Sequence, residues 1–429
     1  MNEFALIILA TLFVTNALDV LADVLNLRAL SPRVPEEFAG VYDAERYARA
    51  QEYTRVRTRF GFVTSGFDML LLPGFWFAGG FGVLDVWVRS FGLPAIITGL
   101  CYIGILAAGR SLLALPFSIY STFVIEQRFG FNRTTWKTFA ADVLKGALLA
   151  LLLGAPLLAL VLWLFSSAGP MAWLYAWGAV TVIMLAVQYV APTWIMPLFN
   201  RFAALAEGPL RDEILRYAEA VRFPMKGIFV MDGSKRSTRA NAFFTGFGRH
   251  RRIVLFDTLI EKHTPAELTA VLAHEIGHYR RKHILISTAL GIAQSGMMLF
   301  LLSLFVESGA LSRAFFVEEH SVYAALVFFG MLYSPVSFLL SLALHALSRK
   351  HEFEADRYAV RSYRNAEALI DALKKLSVSN LANLTPHPLY VALHHSHPPL
   401  LQRIAAIRKV AGEKIPRRGK MRLRWRDVV

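Results

Sequence analysis

Disulfide chemistry is closed to this chain, because its 429 residues include a single cysteine, Cys101. A thiolate-rich metal site is excluded with it. Histidine is missing from the whole first half, all twelve lying between His250 and His397. Imidazole chemistry therefore belongs to the second half, and any metal must be held by His and carboxylate. Acid is scarce against base, 31 Asp and Glu to 46 Lys and Arg, for a net charge of +15. Such an excess suits nucleic acid or anionic lipid. No aromatic-basic binding motif accompanies it, so nucleic acid is set aside and membrane lipid is the expected partner. Internal repeats and low-complexity segments are also lacking.

What the chain has in quantity is apolar sequence. It is 55% hydrophobic with a mean hydropathy of +0.44, too apolar for an ordinary soluble protein. Seven stretches are long enough for a span of about 20 helical residues. They are Phe4–Leu25, Gly66–Val88, Leu93–Val124, Gly146–Phe165, Trp173–Phe199, Leu285–Val306 and Tyr323–Leu347. The first lacks the basic start of a signal peptide and ends in Asp19 and Asp23, so it is expected to be retained. The second carries Asp68, Pro73 and Asp85, and the third carries Arg110. Ionisable groups at such depth usually face a cavity, although Asp85 is equally readable as a boundary residue reaching for water.

The connections alternate in charge. Arg28–Arg59 holds seven arginines, Arg128–Lys145 four basic residues, and Arg408–Arg426 nine. Arg201–His283 also has a basic excess, whereas Ser166–Ala172 is uncharged and Glu307–His320 sets one arginine against three glutamates. The positive-inside rule then puts the N-terminus outside and the C-terminus in the cytoplasm.

Between the fifth and sixth spans the sequence turns soluble in character. Leu210–Val221 has helical apolar spacing, while Ile228–Met231, Ala240–Phe247 and Ile253–Phe256 read as strands of a small sheet. Thr264-Pro265-Ala266-Glu267 is a capping box with proline at the first helical position, so a helix starts there. That helix carries His274-Glu275-Ile276-Gly277-His278. HExxH sets two imidazoles one turn apart on one face, where both reach a single metal with a carboxylate beside them.

A catalytic zinc needs a third protein ligand. The metzincin continuation fails, since Arg281 and Ile284 stand where its glycine and third histidine belong. A glutamate from a second helix is the alternative. Glu352 is the candidate, just after the seventh span, with Asp356 one turn on to orient a ligand. An out-and-back pair of spans returns Glu352 to the side of the HExxH helix. The competing readings are plainer: polar residues on the wet face of a helix for the histidines, and solvated charge for Glu352. Glu354 is expected in solvent.

In order and spacing the chain resembles the type I CAAX prenyl proteases, the membrane branch of the M48 metallopeptidases. The resemblance rests on Glu126–Asn132 (EQRFGFN), Ser234–Gly246 (SKRSTRANAFFTG), Arg252–Asp257 (RIVLFD), HEIGH, Glu352–Asp356 (EFEAD) and Ser396–Arg403 (SHPPLLQR). It implies an all-α integral membrane protein, seven transmembrane helices around a chamber, with a gluzincin-like zinc domain carrying a small β-sheet. The implied site holds one Zn2+ per chain on His274, His278 and Glu352, with Glu275 as the catalytic carboxylate. His397 would stand near the metal, supported by Arg403. Spacing alone does not choose among His394, His395 and His397. The stretch Asn241, Ala242, Phe243 and Phe244 resembles the family's substrate-binding edge.

The expected organisation is five membrane helices over 1–200 and a segment with the sheet and HExxH helix over 201–283. A hairpin of two spans covers 284–348, the third-ligand helix and the rest of the peptidase part cover 349–411, and a basic tail covers 412–429. The expected function is a zinc-dependent membrane endopeptidase cutting near the C-terminus of CaaX-type substrates, prenylated or not. The first alternative is a quality-control protease with no prenyl requirement. The others are a transporter or scaffold with a structural zinc, which leaves Glu275 unused, and a protease cutting within the bilayer, which Arg280-Arg281-Lys282-His283 after HExxH argues against. Composition leans toward a bacterial cytoplasmic membrane, and the topology fits the endoplasmic reticulum in a eukaryote. The sequence sets no oligomeric state.

Overall fold

Side-chain caps fix where the first helices begin in the computed structural model, which describes residues 2–245 and 252–412. Of the basic tail only Gly412 falls among them, and Gly246 and Phe247 lie outside. Helix α1 (Glu3–Arg28) starts at Asn2, whose side chain accepts from the Ala5 N–H. Asp43 does the same for α2 (Ala44–Phe77). This second helix departs from the expected boundaries. It begins within the arginine-rich segment expected to be a loop, and it breaks before Gly79, whose φ of +74° favours glycine. The remainder of that stretch forms α3 (Gly80–Arg89).

Helix α4 (Ala95–Tyr120) continues through a π-helical turn, Ser121–Glu126. A second such turn, Ala150–Gly154, joins α5 (Trp136–Leu149) to α6 (Ala155–Ser167), and α7 (Ala172–Val190) follows. Next come β1 (Phe202–Ala204), α8 (Pro209–Ala220), β2 (Gly227–Met231), β3 (Ala242–Thr245) and β4 (Arg252–Phe256). The three expected strands are present, and β1 joins them to give the order β1-β2-β4-β3. Only β2 and β4 are parallel, and β3 is an edge strand, paired antiparallel to β4 with Ala242 opposite Leu255.

A short α9 (Asp257–Ile260) leads to α10 (Pro265–Arg280), where both hydrogen bonds of the Thr264–Glu267 capping box form. Helix α11 (His283–Phe305) and the small α12 (Gly309–Ala314) precede α13 (Val322–Leu332) and α14 (Ser334–Tyr363). The last two make one span bent by 50°, with Pro335 just after the break. Helices α15 (Ala366–Ser379), α16 (Pro388–His394) and α17 (Leu400–Gly412) complete the described chain. Among the described residues six helices, single or joined through short π or 3-10 turns, are long and apolar enough to cross a membrane, and the bent pair makes the seventh.

Two separate cores hold these elements. One collects Tyr47, Ile125 and Phe131 from the ends of spans with Ile214, Leu255, Leu272, Ile276 and Ile370 from the sheet and the shorter helices. The other collects the opposite helix ends, including Ile8, Trp76, Phe81, Tyr102, Phe165, Leu302, Phe315 and Phe328. The basic connections meet at the first core and the poorly charged ones at the second. Between them the spans bury little, no more than 22% of the apolar window in any of the six.

The ionisable residues at membrane depth are paired. Arg110 Nη2 donates to Asp68 Oδ2 at 2.8 Å. Asp85 is buried in the second core, where it takes a hydrogen bond of 2.5 Å from Tyr323 Oη and one of 2.7 Å from Arg89 Nε. It therefore neither faces a cavity nor reaches for water.

Candidate metal centre

Helices α10 and α14 approach backbone to backbone. A Cβ on Gly277 would stand 2.9 Å from both the Cα and the carbonyl oxygen of Ala355. No larger residue fits there without moving a helix, and the contact lies one residue from His278 and three from Glu352. Gly277 is a site residue that sequence reasoning passed over, although it lies inside HEIGH.

The close approach brings three donors together. His274 Nε2 and His278 Nε2 are 3.1 Å apart, Glu352 Oε2 is 3.5 Å from the former, and Glu352 Oε1 is 3.3 Å from the latter. A tetrahedral ion with bonds of about 2.0–2.1 Å separates its ligands by roughly 3.3–3.4 Å. One zinc therefore fits this set, and it is the one His/Cys/Asp/Glu group of that kind among the described residues. Glu352 Oε2 is buried without a well-directed hydrogen bond, although His397 Nδ1 at 3.0 Å and Arg403 Nη1 at 3.2 Å come close.

Around the donors lies a buried ionic frame. His274 Nδ1 is 2.8 Å from Asp356 Oδ1, which turns Nε2 toward the donor set. Arg403 Nε and Nη2 grip both oxygens of Asp356, at 2.8 and 2.7 Å. Burial alone would pull the Arg403 guanidinium down, but Asp356 and Glu352 reverse that and hold it charged. His278 is braced in turn. Its Nδ1 is 3.0 Å from His283 Nδ1, and His283 Nε2 is 3.1 Å from Glu354 Oε2 while its ring stacks on His351. Glu354 is thus not a solvent residue, and His283 is a second member of the site that the sequence reading missed. Its signal was available, a fifth-residue histidine after HExxH.

Glu275 opens onto a cavity of about 850 Å³, whose wall also includes Asn241, Ala242, Phe243, Gln188 and His397. Burial pushes the Glu275 carboxyl up, and His274 and His278 oppose it. A cation at the donor set would lower it further. His397 is the histidine of its group at this cavity, with two-thirds of its side chain exposed. His394 lies 3.7 Å from Asp19, and His387 caps α16. Arg403 is not on the cavity wall. The backbone of Phe244 continues β3, while its side chain lies outside what is described.

Comparison with known proteins shows the family and the fold. Residues 23–201 match the family described as CAAX prenyl protease N-terminal, five membrane helices, and residues 204–411 match peptidase family M48. The CAAX prenyl protease 1 homolog of Oryza sativa subsp. japonica is 35% identical, over 91% of this chain and 94% of that one. The probable CAAX prenyl protease 1 of Schizosaccharomyces pombe is 37% identical, over 88% of this chain and 82% of that one. The crystal structure of S. mikatae Ste24p superposes with a TM-score of 0.87 at 30% identity, covering 95% of this chain and 99% of that one.

Proposed function

This chain belongs to the CAAX prenyl protease 1 family of M48 membrane metallopeptidases, and from that premise we propose that it cleaves the C-terminal peptide of CaaX-type proteins with zinc held by His274, His278 and Glu352. The observation that carries the reading is one donor atom each from His274, His278 and Glu352 gathered within 4.8 Å of one another, with Glu275 beside them, on the wall of a cavity that an edge strand also lines.

A bound zinc would supply a Lewis acid, polarising the scissile carbonyl and lowering the pKa of a water toward neutrality. Glu275 takes the proton of the attacking water and passes it to the leaving amine, a role typically worth about 10²–10⁴ in rate. His397, exposed to the same cavity, donates to the oxyanion that develops. Arg403 acts at one remove, holding Asp356 and Glu352 and through them His274. The open edge at Asn241, Ala242, Phe243 and Phe244 binds the peptide as an added strand. The basic excess of the connections supports a site on the cytoplasmic side, in a bacterial cytoplasmic membrane or, in a eukaryote, an endoplasmic reticulum.

The test uses detergent-purified wild type beside Glu275→Gln, following zinc content and cleavage of a prenylated CaaX peptide and its unprenylated twin. About one zinc in both proteins with cleavage in wild type alone is the expected result. Equal cutting of the two peptides would move the function to general membrane-protein turnover. Zinc without any cleavage would favour a transporter or scaffold, and no zinc in either protein would overturn the site.

A further inference from the structure

Two segments that stand out in the sequence, Glu126–Asn132 and Ser234–Gly246, contribute nothing to the donor set, yet they meet. Asn132 and Ser237 form an isolated antiparallel bridge. Nearby, the Thr238 N–H donates to the Phe131 carbonyl at 3.1 Å and the Arg133 N–H to the Arg236 carbonyl at 3.0 Å. Between the segments lies a second cavity of about 510 Å³, walled by Glu126, Arg236, Arg239, Asn241 and Asn380 among others. Asn241 lines both cavities, so the two adjoin at the N-terminal end of β3.

The second cavity has cationic groups with hydrogen bonds to spare. Arg236 spends Nε and Nη2 on Asp142, at 2.7 and 2.8 Å, and Nη2 also on the Phe199 carbonyl. Its Nη1 is buried with no partner among the described residues. Arg239 gives Nη2 to Glu126 Oε2 at 2.8 Å and to Tyr53 Oη, and its Nε is likewise buried without a partner. Glu126, the acid on this wall, already accepts from Tyr53 Oη at 2.6 Å and from Arg239. What remains unmet is donor capacity on two guanidiniums, and a carboxylate is the acceptor that suits it.

Strand polarity supplies the carboxylate. A peptide pairing with the open edge of β3 in the commoner, antiparallel sense runs against it, from the Thr245 end toward Asn241. Its carboxyl end then passes the metal-side cavity and enters the space beside Arg239 and Arg236. Two or three extended residues cover roughly 7–10 Å, a short reach past Asn241.

We propose that Arg236 and Arg239 bind the C-terminal carboxylate of the peptide substrate, so that the enzyme recognises a chain end rather than an internal loop. The proposal rests on the peptidase reading above and deepens it. The two arginines determine specificity on the leaving-group side and take no part in the proton transfers.

One CaaX-type peptide, made with a free C-terminal carboxylate and as the carboxamide, is offered to wild type, Arg236→Gln, Arg239→Gln and Arg239→Lys. Wild type is expected to favour the acid in kcat/KM by roughly tenfold or more, the scale of a charge-assisted hydrogen bond. Each Gln variant lowers acid cleavage and leaves amide cleavage little changed, and Arg239→Lys recovers part of the preference. The persisting amide cleavage shows that these variants fold. In parallel, both peptides carrying a fluorophore are titrated into the Glu275→Gln protein, where anisotropy reports binding without turnover. Equal handling of acid and amide by wild type, or variants that lower both alike, would overturn the proposal. Absence of all cleavage by zinc-loaded wild type would count instead against the peptidase reading. The acid-to-amide binding ratio would still decide the carboxylate site.

Discussion

Glycine plays opposite parts in two regions of this molecule. At the site end, Gly277 lets α10 and α14 touch, and a Cβ there would overlap the backbone of Ala355. In the belt between the two cores, Gly104, Gly109, Gly178 and Gly291 have nothing within 4 Å of where a Cβ would stand. Small residues in membrane helices usually mark close helix contacts. Here Gly296 of α11 does so, since a Cβ there would stand 2.9 Å from the Trp177 indole, but these four belt glycines line open space. The site end is packed to position chemistry, whereas the belt is packed to leave room.

The comparison is broken most severely by Arg403→Ala, which strips two buried carboxylates of their counter-charge. Removing one partner from such a network costs about 3–5 kcal/mol. A marked fall in the thermal midpoint of the purified protein, with zinc lost in the same range, is the expected reading. Gly277→Ala comes next. Overpacking of this kind costs roughly 1–3 kcal/mol, and the forced separation of α10 from α14 should weaken zinc retention against a chelator. Gly104→Ala is the smallest and the sharpest control, being the same substitution in a helix with open space beside it. It should change stability by no more than about 1 kcal/mol, in the direction of helix propensity if at all. Equal losses from the two glycine substitutions would show that the belt is packed as tightly as the site.

Much of this was readable beforehand, for identifiable reasons. Periodicity and the capping box located α10 because Thr264, Pro265 and Glu267 act locally. The convergence of His274, His278 and Glu352 followed from chain direction, since an out-and-back pair of spans must return to its starting side. The start of α2 was not readable from hydropathy. Arg46, Arg49, Arg55, Arg57 and Arg59 are good helix formers, yet they look like loop to a window that weighs only apolar content. Strand β1 is three residues long and exists through its pairing with β2, which no local signal announces. Glu354 was misjudged because its partner, His283, lies on another helix. The pairing of Asp85 with Tyr323 likewise joins distant segments.

The bend at Tyr333 has a mechanical consequence. Helix α14 leaves that bend as one continuous rod and carries Glu352 roughly 28 Å along its axis, at 1.5 Å per residue. On an arm of that length, one degree of tilt displaces the carboxylate by about half an ångström, the tolerance within which a functional constellation must be held. Span tilt answers to bilayer thickness. The lipid around α14 is therefore a lever on the geometry of the metal site, and the ionic clamp of Arg403 on Glu352 and Asp356 is the stop that limits its travel.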